Sequence, residues 1–225
     1  CINPRKFSLK RNVVNGICGV GIPASIQNLL NVTGMTILNN FTSSYGANAV
    51  AAMGISYKIY MVPMQVAMGY TQGIMPLVSY NYTSGNHKRM KQAIFFVVKT
   101  LLPFLLLVSL GYWLGAGALV RAFMEREEVI AYGTRFLRGF CLGIPFLCMD
   151  FLAVGVFQAL GLGKNALVFA VMRKIILEIP ALYILNNLFP LYGLAYAQTT
   201  AELVMSCTAM CMLTRIFRRL AEKNV

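Results

Sequence analysis

The sequence predicts an all-α polytopic membrane protein with six transmembrane helices, short connections and both ends on one side of the bilayer. Three observations carry this. Hydrophobic residues fill 58% of 225 positions and charged residues only 12%, with a mean hydropathy of +0.65, whereas soluble domains carry about 25% charged residues. Six apolar stretches each reach the roughly 20 residues that a helical span requires. Between them, positive charge falls mostly on alternate connections. Lipid leaves a spanning backbone only helices or a closed barrel, and these stretches are too long and continuous for barrel strands.

The elements follow in order. The first span covers about 13–41 and is unusually polar, with Gln27, Asn28, Asn31, Thr33, Thr36 and Asn39. After an uncharged turn at Ser43-Ser44-Tyr45-Gly46, the second covers about 47–82. It is too long for one straight crossing and carries Pro63 and Pro76, so a kink or an overhang beyond the bilayer is expected. The turn from Ser84 to Arg89 leads to a third span at about 94–120. Residues 121–138 mix charges, including Glu125, Arg126, Glu127 and Glu128, and read as an amphipathic helix lying in the interface. The fourth span is placed at about 139–160, the fifth at 166–189 and the sixth at 191–216. Small-xxx-small pairs at Gly69/Gly73, Gly111/Gly115 and Gly139/Gly143 suit close helix packing. A Gly-Ile-Pro triplet, at Gly21–Pro23 and Gly143–Pro145, opens the first and fourth spans and hints at an inverted three-helix repeat.

The net charge of +13 does not imply nucleic acid, because of where it lies. Of 20 basic residues, 14 sit in four places: Arg5, Lys6, Lys10 and Arg11; Lys88, Arg89 and Lys91; Lys164, Arg173 and Lys174; Arg215, Arg218, Arg219 and Lys223. The connections at 42–48 and 186–192 carry no charge. The positive-inside rule therefore makes both termini cytoplasmic, with a basic rim facing anionic lipid. Cys1, Cys18, Cys141, Cys148, Cys207 and Cys211 form no Cys-x-x-Cys pair, which argues against a zinc site or disulfide framework. A first residue of Cys1 rather than Met, with no signal peptide, reads as part of a longer chain.

Ionisable groups inside spans are functional candidates by default. Asp150 lies mid-span among Phe146, Leu147, Met149, Phe151 and Leu152, and helical spacing puts Phe146 and Phe157 on its face. A carboxylate among aromatics suits a lipophilic cation; it also suits a proton, a sodium ion, or a structural hydrogen bond to a neighbouring helix. Glu178 precedes Pro180, with Lys174 four residues earlier as a possible self-neutralising pair. Glu202 in the sixth span and Lys58 in the second are further candidates, and Lys58 can pair across the bundle or snorkel. Gln27 and Asn31, one turn apart, can line a wet cavity or bond between helices. No HExxH, GxSxG, P-loop or paired-cysteine motif is present, so an enzyme is not expected.

Three segments carry a family likeness: Gly21-Ile22-Pro23; Gln72-Gly73-Ile74-Met75-Pro76-Leu77-Val78-Ser79-Tyr80-Asn81-Tyr82 with Gly85 and a basic turn; and Phe157-Gln158-Ala159-Leu160-Gly161-Leu162-Gly163-Lys164-Asn165-Ala166, then Arg173 and Ile179-Pro180. Residues 1–225 thereby resemble the carboxyl-terminal half of a multidrug and toxic compound extrusion (MATE) transporter, the amino-terminal lobe being absent. The resemblance implies one six-helix lobe of a two-lobed transporter in a bacterial plasma membrane. Organic cations or drugs would leave in exchange for sodium or protons, with no cofactor and with the amino-terminal lobe as partner. Asp150 would fall in the tenth helix of that plan, where some members place a cation-binding carboxylate. Those members add an acid in the seventh helix, which the first span here lacks, and this leaves the coupling ion open. Alternatives are a lipid-linked saccharide flippase, which needs cavity cations and has Lys58, Lys99, Arg173 and Lys174 to offer, or a non-transporting half-transporter.

Overall fold

Apolar sequence winds into long helices here, and short polar turns end them. The computed structural model describes residues 11–222; Cys1, Arg5, Lys6, Lys10 and Lys223 lie outside them. Helix α1 runs Arg11–Ser43, α2 Ala47–Thr83 and α3 His87–Arg121. Gly46 and Gly85 take φ of 97° and 74° in the two intervening turns, a conformation open to glycine without strain. The Asn86 side chain accepts from the Arg89 N–H at 3.2 Å and caps α3, so that helix starts seven residues before the expected 94. The 37 residues of α2 reach ~55 Å at 1.5 Å each, well beyond a hydrocarbon core of ~30 Å.

The fourth long helix is interrupted: α4 Glu127–Cys141, a 3-10 turn Ile144–Phe146, then α5 Leu147–Ala159. Residues 121–138 therefore do not form a separate interfacial helix. The apolar face of α4, with Val129, Ile130, Phe136, Leu137 and Phe140, is buried in the bundle. Gly133 lies so close to α3 that an added Cβ would stand 2.8 Å from Val120 Cγ1. Ser56 on α2 donates to the Gly133 carbonyl at 2.9 Å, and Ser109 on α3 to the Cys141 carbonyl at 2.7 Å. An apolar stripe met by protein on this scale is a bundle helix, and its charged start, with Arg121 and Glu127 paired at 2.9 Å, stays exposed.

The fifth is interrupted too: α6 Gly163–Val171, a π-helical stretch Met172–Glu178, and α7 Ile179–Leu188. Pro180 has no N–H and its ring crowds the carbonyl four residues back; a wider π turn just before it relieves both. The sixth is α8, Gly193–Glu222. The described residues thus form an all-α lobe of six helices, without strands. Three of the helices, His87–Arg121, Glu127–Ala159 and Gly193–Arg218, are long and apolar enough to cross a membrane by length and composition.

Two sequence expectations about glycine and proline change. A Cβ at Gly69, Gly73, Gly111 or Gly115 would meet nothing within 4 Å, while Gly139 and Gly143 both lie against α8. Only the last small-xxx-small pair marks a contact within the lobe. Neither Gly-Ile-Pro triplet opens a span: Pro23 is inside α1, and Gly143–Pro145 forms the break between α4 and α5.

The connections sort to two ends. Tyr45 donates to Asn186 Oδ1 at 2.8 Å, and Asn48 to Glu128 Oε2 at 2.6 Å, which groups the first, third and fifth connections. At the other end Lys91 lies over the Phe217 ring at 5.6 Å, and Gly163 abuts the Gly19 carbonyl. Phe95, Phe96, Leu106, Leu107, Leu110 and Leu114 on α3 are exposed, an apolar face suited to lipid.

Candidate functional site

The α4–α5 break and the π stretch bring charge into the middle of the lobe. The break sets Asp150 in the first turn of α5, where it is 1% exposed. The π stretch carries Arg173, Lys174 and Glu178, all buried, and α8 supplies Glu202, also 1% exposed. Glu202 Oε1 accepts from Tyr60 of α2, from Gln198 Nε2 at 3.2 Å and from Arg173 Nη2 at 3.4 Å. Three helical elements are thereby tied at one oxygen. Lys174 donates to Glu178 Oε1 at 2.7 Å, beneath Gly34 of α1. A Cβ at Gly34 would stand 2.9 Å from the Lys174 ammonium, so α1 lies close over the pair and a side chain there would make the lysine shift. Both oxygens of Asp150 lack a hydrogen-bond partner among the described residues. Buried polar groups normally have one, so an exception calls for a functional or strain explanation.

Asp150, Arg173 and Lys174 line a niche of about 10 Å³ with Gln27, Asn31, Phe151 and Phe169. That is room for about one water-sized body. Gln27, Asn31 and Phe151 also line a neighbouring pocket of about 110 Å³, with Asn28, Thr71, Gln72 and Met75 among its other walls. Gln158 Nε2 donates to Gln27 Oε1 at 3.5 Å across it, linking α5 to α1. A small charged niche and a larger amide-and-apolar pocket thus share a wall.

The structure brings together Asp150, Gln27 and Asn31 as lining groups, and sets Glu178 and Glu202 in the same charge cluster. The aromatic expectation changes. Phe146, the last residue of the 3-10 turn, is half-buried and does not line the niche. Phe157 is buried edge-on against Phe169 in the core. The ring beside Asp150 is Phe151, with the Arg173 guanidinium 6.0 Å above it. Lys58 is exposed on α2, and no carboxylate of the described residues pairs with it.

Arg173 and Lys174 correct the charge map. They were grouped with Lys164 as part of a basic rim, but both point into the bundle. Sequence reasoning also missed Tyr60 and Gln198. Gln198 stands one helical turn before Glu202, which was a usable signal; Tyr60 had none, because its partner lies 142 residues away. Among the described residues, no group of three or more His, Cys, Asp and Glu is placed to hold a metal ion.

The family model described as MatE matches residues 23–184, and the chain belongs to that family. It is 30% identical over 202 residues to the multidrug export protein MepA of Staphylococcus haemolyticus, covering 89% of this chain and 44% of MepA. MepA of Staphylococcus saprophyticus is 29% identical over 211 residues, 93% of this chain and 46% of the relative. The chain spans about half the length of the curated relatives it matches. Its fold superposes on the outward-facing conformation of a multidrug resistance MATE family transporter of the MOP superfamily. The TM-score is 0.91 at 20% identity, over 98% of this chain and 50% of that one. The Vibrio cholerae MATE transporter VcmN in the bent form gives a TM-score of 0.87 at 18% identity, covering 96% and 49%.

Proposed function

We propose that this chain is the carboxyl-terminal lobe of an exporter that drives organic cations or drugs out of a bacterial cell in exchange for sodium or protons. The observation that carries this reading is the Asp150 carboxylate, buried and without a hydrogen-bond partner among the described residues, beside a pocket walled by Gln27, Asn31 and Phe151. A niche of about 10 Å³ suits a bare ion or a proton and is too small for a drug. The coupling ion belongs at Asp150, and the organic cation belongs in the adjoining pocket, completed by the facing amino-terminal lobe. Ion and drug then compete through the shared wall, and each shifts the transporter only by its differential affinity for the two conformations.

Two further observations support the reading. The flippase alternative needs several free cavity cations, but Lys174 is held by Glu178 at 2.7 Å, Arg173 faces the carboxylates Glu202 and Asp150, and Lys58 lines neither pocket. Lys91 beside Phe217 puts the basic second connection at the same end as the basic close of α8, in keeping with a cytoplasmic location for that end.

The test is ethidium efflux from efflux-deficient bacteria expressing the full coding sequence, under imposed sodium or proton gradients. Asp150→Asn is expected to abolish most gradient-driven efflux while leaving the protein in the membrane. Undiminished efflux with unchanged ion dependence would sink the proposal.

A further inference from the structure

Three carboxylates, Asp150, Glu178 and Glu202, share the buried cluster with two cations, Arg173 and Lys174. With all five ionised the cluster is one positive charge short. Lys174 is committed to Glu178 at 2.7 Å under the roof of Gly34. Arg173 is not committed in the same way. Its Nη2 stands 3.4 Å from Glu202, against ~2.7–2.9 Å for a well-made charge-assisted bond. Its Nε has no partner among the described residues, and the Glu202 oxygen that Nη2 approaches already accepts from Tyr60 and Gln198.

We infer that Arg173 is a movable internal counter-ion that holds Glu202 in this arrangement, turns to Asp150 in another, and so competes with a monovalent cation for Asp150. Four observations place it for that exchange. Arg173 and Asp150 line one niche, and both Asp150 oxygens are without a partner. The guanidinium rests over the Phe151 ring, a face that attracts a cation without binding it at one point. Glu202 keeps two other donors when Arg173 leaves. The niche holds about 10 Å³, too little for the guanidinium and an ion together. The groups around Asp150 are then Arg173 and Lys174 from the π stretch, Glu202 from α8 and the amides Gln27 and Asn31 from α1. Arg173 is thus a positioning residue whose location reports whether the ion site is filled.

This rests on the reading of Asp150 as the coupling-ion site, and the experiment separates the two. The purified full chain in detergent is titrated with radioactive sodium at fixed pH and, separately, by acid with a pH-indicator readout of proton uptake. The two arms decide which monovalent cation is bound. Arg173→Gln removes the competitor and should tighten cation binding by about tenfold, the low end for loss of one charge within ~4–6 Å. Glu202→Gln releases Arg173 toward Asp150 and should weaken binding by a similar factor. Both shifts should vanish in an Asp150→Asn background. Shifts of the same sign, or shifts that persist without Asp150, would overturn the counter-ion role. Asp150→Asn binding like wild type would instead overturn the ion-site reading beneath it. Should Arg173→Gln fail to fold, the sign of the Glu202→Gln shift decides alone, tighter or unchanged binding overturning the inference.

Discussion

Gly143 stands directly against the Glu202 carboxylate: a Cβ added at residue 143 would overlap Oε2. The break between α4 and α5 thus lies against an acid on α8, and a side chain at residue 143 fits only if that acid moves. Gly143→Ala must push the carboxylate or α8 aside, and overpacking of this kind typically costs ~1–3 kcal/mol. A lower midpoint in detergent-micelle thermal unfolding is expected, whereas Gly111→Ala, inside α3 and facing open space, should not lower it and should raise it slightly through helix propensity.

Tyr60→Phe keeps the ring and removes one donor from a buried carboxylate. The loss of a hydrogen bond to a charged group is worth ~1.5–3 kcal/mol. Equilibrium unfolding by titrated SDS should show the loss, and Tyr60→Phe combined with Glu202→Gln should be milder than the two single losses added together.

Lys174 and Glu178 are each about 8% exposed and form the tightest buried ion pair among the described residues. Removing one partner strands the other, at ~3–5 kcal/mol, while replacing both with apolar residues of similar size is near neutral. Lys174→Met should therefore be far less stable than Lys174→Met/Glu178→Leu. The Arg121–Glu127 pair, at 64% and 78% exposure, is the contrast: Glu127→Gln should change stability by no more than ~1 kcal/mol.

Phe151→Ala removes the ring shared by the niche and the larger pocket. In the efflux assay the variant should lose aromatic cations such as ethidium more than it loses sodium or proton binding. Equal losses of both would show that the ring only packs.

The long helices and their order were legible in the sequence because apolar length and turn chemistry are local properties. Ser43-Ser44-Tyr45-Gly46 and Ser84-Gly85-Asn86 end helices where residues of those types should. Asp150 was legible as a misplaced charge. Arg173 was not, because a basic residue near a basic connection reads as rim until Glu202, 29 residues on, is seen to meet it. The amphipathic pattern of 121–138 was real, but its stripe faces α2 and α3, and periodicity cannot distinguish a protein partner from lipid headgroups. Phe151, next to Asp150 in the chain, lines the niche and Phe146 does not, a placement fixed by how α5 packs and not by spacing along its own sequence.

The break at Gly143-Ile144-Pro145 also sets a phase. Each residue advances an α-helix by ~100°, and α5 is anchored against its neighbours by Gly155, whose Cα side lies on Thr71. One residue inserted or deleted between Cys141 and Leu147 would have to be absorbed within the break itself or else turn Asp150 off its niche. The three-residue turn acts as a key that admits one length: α4 is indexed to α3 and α2, α5 to α2, and Asp150 and Arg173 line one niche only when both indices agree.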